Sequence, residues 1–239
     1  MPCAGSSVST ERFPRLYERL LAAYGPQGWW PASDPFRVIL GAILVQRVTW
    51  EGAARAIENL DRQGLCSPGA IAEAADARVE QCLVPAGFYR NKTRSLRAVA
   101  DWLRQRFDGH LDRALSLPAE RLRNELLSIH GIGPETADAI LVYAAHRPSF
   151  VVDQSLRRLL DRLGWIRGDE TYGEIQASLH RVLPADAALF NEAHALIVQH
   201  GKLHCRTRPL CAGCPVDDLC EFVARGRSTS SPHGETCGS

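Results

Sequence analysis

Apolar residues recur at helical spacing along almost the whole chain. In residues 10–24, Phe13, Leu16, Tyr17, Leu20 and Leu21 share one face, which predicts an amphipathic helix. Residues 25–35 are broken by Gly and Pro and read as a loop. Residues 36–48 are apolar nearly without interruption, the pattern of a central helix buried on all sides. Helices are predicted further on over 52–62, 68–74, 76–84, 91–106, 118–129, 134–145, 154–163, 171–182 and 185–200. The connections are short and mostly marked by Gly or Pro, and no window alternates as a half-buried strand does. The expected fold class is all-α. Residues 1–9 and 226–239, rich in Ser, Gly and Thr, are expected to be disordered. No internal repeat is evident.

Composition narrows the class without naming a function. With 239 residues, 45% of them hydrophobic and 23% charged, the chain can bury a substantial core as one large domain or two small ones. Its best apolar run, residues 38–45, is too short to cross a membrane. No charged segment followed by an apolar one opens the chain, so a cytoplasmic location is expected, nucleoid-associated in a bacterium. A net charge of +1 neither supports nor excludes a nucleic-acid partner, because a local basic face is what matters. Lys92 and Lys202 are the only lysines, leaving 26 arginines among the 28 basic residues.

Four of the eight cysteines fall within sixteen residues, as Cys205-x5-Cys211-x2-Cys214-x5-Cys220. Such clustering lets four sulfurs converge on a structural zinc or an iron–sulfur cluster. Zinc usually draws on two pairs of ligands, and here a single Cys-x2-Cys is flanked by lone cysteines. The pattern therefore leans towards 4Fe–4S over zinc. Disulfides are the lesser alternative, since a reducing cytosol keeps thiols free. Cys3, Cys66, Cys82 and Cys237 are scattered and read as buried or tail residues.

The most chemical stretch is Leu127-Ser128-Ile129-His130-Gly131-Ile132-Gly133-Pro134-Glu135-Thr136-Ala137-Asp138. One helix ends, Gly131 and Gly133 make a turn, and Pro134 opens the next helix at its first position. Backbone N–H groups and a helix N-terminus together suit a phosphodiester, without reading its sequence. Downstream, Phe150-Val151-Val152-Asp153 leads into the helix over 154–163. Asp153 reads either as an N-cap or as a carboxylate at the mouth of a cleft, and the two roles are compatible.

At these residues the chain resembles the helix–hairpin–helix DNA glycosylases, the endonuclease III family in particular. The hairpin G-I-G-P-E-T-A, the downstream V-V-D, the H-G-K near Cys205 and the closing D-L-C-E-F carry the resemblance, with G-A-I-L-V-Q at 41–46 and G-F-Y-R-N-K at 87–92. It implies a 4Fe–4S cluster on Cys205, Cys211, Cys214 and Cys220, and two helical lobes with a DNA-binding cleft between them. The expected lobes are 10–33 with 148–225, and a barrel-like 34–147 ending in the hairpin. The implied partner is double-stranded DNA bearing a damaged base or an abasic site, bound by a monomer, with no membrane. Asp153 takes the catalytic position, where a carboxylate would stabilise a cationic sugar and activate water. Gln46 and Phe88 match the residues that fill the space a flipped base leaves. Core packing is the alternative for Phe88. Arg90 and Lys92, with Arg94 and Arg97, form one basic stretch, and Lys202, Arg206 and Arg208 another, both suited to phosphates.

Two departures matter. Glu135 stands where bifunctional members carry the lysine that forms a Schiff base, and a carboxylate cannot form an imine. A monofunctional glycosylase is therefore expected, with Glu135 either positioning water or complementing its helix dipole. An acid here also resembles the branch acting on alkylated purines. Two alternatives stay open: a damage-binding homologue with weak or no catalysis, and a bifunctional enzyme using another amine, the N-terminus or Lys92. The second departure is the first cysteine gap, five residues instead of the family's six.

Overall fold

Residues 8–29 and 34–229 are described by the computed structural model; the remaining parts of the termini expected to be disordered lie outside them. Among the described residues the chain is helical and carries no strand. In order, the helices are α1 Arg12–Tyr24, α2 Pro35–Leu44, α3 Trp50–Arg62, α4 Pro68–Glu73, α5 Asp76–Leu83, α6 Tyr89–Phe107 and α7 Leu111–Leu115. They continue as α8 Ala119–Leu127, α9 Pro134–Ala139, α10 Gln154–Arg162, α11 Tyr172–Val182, α12 Ala187–Leu203 and α13 Glu221–Thr229. Short 3₁₀ turns at Val84–Ala86 and Asp217–Leu219 and a π-helical turn at Ile140–Ala144 complete them.

Local chemistry explains the boundaries. Asp34 accepts the Phe36 N–H at 2.9 Å while Pro35 supplies the first helical residue of α2. Ser67 caps α4 in the same way, ahead of Pro68. Thr171 and Glu174 form a reciprocal capping box on α11. The helix predicted over 134–145 is divided: its second half is π-helical, with Ala145 N–H bonded to Ile140 O at 3.0 Å. Helix α13 carries regular structure through residues 226–229, where disorder was expected.

The chain divides into two compact units. Unit 2 comprises 29–151 and 185–191, and unit 1 comprises 1–28, 152–184 and 192–239. The short insertion at 185–191, the first turn of α12, therefore counts with unit 2, which residue order alone does not indicate. In unit 2, α2 is enclosed by α3, α6, α9 and the π-helical turn. Phe36, Val38, Ile39, Leu40, Ile43 and Leu44 of α2 are all buried, as its uninterrupted apolar pattern requires. In unit 1, α10 buries Leu156, Leu159 and Leu160, and Gly201 lets α12 approach Ser155 of α10 closely.

Candidate functional site

The hairpin in unit 2 is held from both sides. Gly131 has φ +81°, a left-handed conformation that favours glycine, and any side chain there would overlap the Ser95 hydroxyl of α6. Gly133 is extended, and a Cβ on it would meet open space, leaving room beside the start of α9. The two flanking helices are joined by a buried ion pair. Arg123 of α8 grips Asp138 of α9 at 2.8 and 3.1 Å, and the Ser149 hydroxyl donates to the same carboxylate at 2.7 Å. Asp138 is fully buried, so this pairing is what makes its charge tolerable. Nothing in the spacing of Arg123, Asp138 and Ser149 announces that network.

Gln46 joins the hairpin. Its side-chain amide donates to Gly131 O at 3.1 Å and to Thr136 Oγ1 at 2.9 Å. A polar residue at the end of an apolar helix is thereby given partners, and it ties the α2–α3 connection to the Gly-x-Gly turn. Phe88 does not pack in the core: it is 59% exposed and left-handed, with φ 48°. Trp50 and Val84, in the same unit, are also exposed apolar residues.

The basic residues separate. Arg90, Arg94, Lys202, Arg206 and Arg208 are exposed. Arg97 instead bonds Asp76 and the carbonyls of Ile71 and Ala74. Lys92, expected on a phosphate-facing stretch, is 3% exposed. Its ammonium donates to Leu44 O and Ala86 O, each at 2.7 Å, and burial lowers its pKa to about 8. An ammonium committed to two backbone carbonyls inside unit 2 is placed neither to meet a phosphate nor to attack a sugar. That corrects the DNA-contact reading of Lys92 and removes it as the alternative amine.

Asp153 caps α10 in unit 1, where its Oδ1 accepts the Leu156 N–H at 2.8 Å. Its side chain keeps 18% of its surface exposed, so it is held and still reachable. His194 Nε2 of α12 lies 3.8 Å from the same oxygen. Burial keeps the His194 ring from protonating more than the carboxylate's charge promotes it. His194 was missed by sequence reasoning; its one visible signal is an imidazole among the apolar residues of α12.

The far end of α10 grips the cysteine loop. Arg162 donates to Cys205 Sγ at 3.2 Å, Arg206 O at 2.7 Å and Thr207 O at 3.0 Å, while Arg158 holds Cys205 O at 2.6 Å. Cys220 Sγ bonds Arg162 O at 3.4 Å. His200 of α12, bonded to the Tyr24 hydroxyl at 2.8 Å, turns its other ring nitrogen to Cys214 Sγ at 4.0 Å. Burial pushes the Cys214 thiol up to about 11, and Cys220, Cys205 and Cys211 add to the rise. Cys205, Cys211 and Cys220 are thus within electrostatic reach of Cys214. Among the described residues, no three His, Cys, Asp or Glu side chains close around a single metal ion.

The chain is similar to known proteins. Residues 40–185 match the family described as HhH-GPD superfamily base excision DNA repair protein. The chain is 39% identical over 212 residues to a Methanocaldococcus jannaschii protein named "Putative DNA repair glycosylase MJ1434", covering 88% of this chain and 96% of that one. It is 28% identical over 216 residues to the endonuclease III of Thermotoga maritima, covering 90% of each. Among solved structures it is similar to an endonuclease III in a non-covalent DNA complex, with TM-score 0.79, 21% identity, and 92% and 99% of the two chains covered. It also resembles an H. pylori 3-methyladenine DNA glycosylase bound to 1,N6-ethenoadenine, with TM-score 0.68, 27% identity, and 82% and 98% covered.

Proposed function

Because the chain belongs to the HhH-GPD superfamily of base excision DNA repair proteins, we propose that it is a monofunctional DNA glycosylase that hydrolyses the N-glycosidic bond of a damaged base. The observation that carries this reading is the Asp153 carboxylate fixed at the N-cap of α10, in a chain whose exposed hairpin position 135 carries a glutamate in place of the lysine that would form an imine.

The chemistry follows from those residues. As the bond from the sugar to the base breaks, its electron pair leaves with the base and positive charge grows on the anomeric carbon. The Asp153 carboxylate stabilises that charge and takes a proton from the water whose oxygen forms the new bond. Its capping bond holds it in place without consuming both oxygens. Gln46 and Phe88 occupy the space the flipped base leaves, and the N–H groups around Gly131 and Gly133 meet a phosphodiester. Arg90, Lys202, Arg206 and Arg208 supply phosphate contacts, so affinity falls steeply with salt.

Cys205, Cys211, Cys214 and Cys220 would hold a 4Fe–4S cluster, which would cross-link the loop on which Arg206 and Arg208 lie. The all-sulfur donor set of four cysteines within sixteen residues supports this. Anaerobically purified protein that is brown and carries four irons supports it; colourless protein with one zinc overturns it.

The substrate class best supported is an alkylated purine, from the acid at Glu135 and the likeness to a 3-methyladenine glycosylase. The test uses duplexes carrying single lesions, 3-methyladenine and 1,N6-ethenoadenine among oxidised pyrimidines and mismatched thymine. Base release with strand breaks only after alkali supports the reading. Breaks without alkali that trap with borohydride sink it in favour of a lyase.

A further inference from the structure

The buried ammonium of Lys92 joins two segments whose ends carry the residues assigned to the vacated base site. Leu44 is the last residue of α2 and Ala86 the last of the 3₁₀ turn, so Lys92 satisfies a terminal carbonyl of each. A cation also complements the negative end of a helix dipole.

Each carbonyl is followed at once by a display loop. After Leu44 come Gln46, bonded to the hairpin, and Arg47 in a left-handed conformation with φ 59°. After Ala86 come Gly87 with φ 60° and Phe88 with φ 48°. A left-handed phenylalanine is strained, so this exposed ring persists only where its surroundings hold it. Their surroundings also approach closely: a Cβ on Gly52 of α3 would lie 2.7 Å from Pro85 O of the 3₁₀ turn, and one on Gly87 would lie 3.5 Å from Val48 Cγ1 of the α2–α3 connection.

We propose that Lys92 is a positioning residue that fixes Gln46 and Phe88 at one spacing, so that both enter the gap beside a flipped nucleotide. This deepens the function proposed above and rests on its reading that these loops face DNA. Lys92 acts through the loops and touches neither the base nor the sugar.

A double-mutant cycle on the full chain tests it, with Lys92→Met, Phe88→Ala and the pair together. Affinity is measured for a duplex with a tetrahydrofuran abasic site and for the same duplex undamaged, with 2-aminopurine beside the site reporting unstacking. Each single change is expected to weaken abasic-site binding about tenfold, and the double change no further than the larger single one, because coupled residues are not additive. The unstacking signal falls in step, and affinity for undamaged DNA stays within about twofold, since phosphate contacts are kept. Independent losses multiplying to about a hundredfold overturn the proposal, as does abasic-site binding unaffected by either change. Circular dichroism checks folding. Should Lys92→Met not fold, Lys92→Gln, which keeps two N–H donors on a shorter stem, enters the same cycle and must show the same coupling. The cycle reads binding alone, so a protein that releases no base yet shows the coupling refutes the hydrolytic reading and keeps this one.

Discussion

Asp153 caps a helix and, in the function proposed above, also serves the chemistry, with different atoms of one carboxylate. One oxygen caps α10, and the partly exposed remainder is available to water and sugar. Asn caps a helix about as well as Asp, so Asp153→Asn should keep the fold and the affinity for abasic-site DNA. Single-turnover base release should fall about 10²–10⁴-fold, the size of a lost general base. Glu135→Lys makes the converse change, placing an amine at the hairpin position. That variant should give a borohydride-trapped complex with abasic DNA, where the parent gives none. Lys92 supplies a pH dependence whose sign follows from its burial. The unfolded chain holds the Lys92 proton up to about 10.5, whereas the folded chain releases it near 8. Below 8 both states are charged and the burial cost is present in full. Between these values the unfolded state binds more protons, so stability rises with pH. Thermal melts from pH 8 to 10 should show the parent gaining on Lys92→Met.

At the scale of the elements, the hairpin of unit 2 is constrained from several sides. Its turn lies against α6, its helices are bolted by Arg123 and Asp138, and Gln46 reaches it from the end of α2. Gly131→Ala forces both a left-handed alanine and an overlap with the Ser95 hydroxyl, and should cost about 1–3 kcal/mol in urea unfolding. Adding Ser95→Ala removes the overlap and leaves the strain, so it should restore part of that loss. The helices long enough to repeat an apolar face were legible from spacing, and their ends from Pro, Gly and capping residues. Others were not. Helix α7 spans only Leu111–Leu115 and is too short to show a period, and the π-helical turn shares its apolar pattern with an ordinary helix.

In the whole molecule, α10 and α12 connect the candidate chemistry to the cysteine loop within unit 1. Helix α10 begins at the Asp153 cap and ends with Arg162 bonded to Cys205, while α12 carries both His194 and His200. Losing the proposed cluster should therefore loosen unit 1 and leave the separate core of unit 2 intact. Cys220→Ser should lower the iron content and the visible absorbance. It should also divide thermal unfolding into two transitions by calorimetry, the earlier one belonging to unit 1.

The amino-acid sequence by itself determined the all-helical class, the hairpin, the position of Asp153, the absence of a hairpin lysine and the four-cysteine loop. Those features are local: they need only periodicity, a turn or a spacing. Only the tertiary structure decided what distant residues do to one another. Lys92 reads from its neighbours as one more exposed cation, yet it is buried between two carbonyls, one of them 48 residues away. His194 reads as part of an apolar helix, yet it faces Asp153. Burial and long-range partners set the charge and the role of such groups, and neither is encoded in the residues beside them.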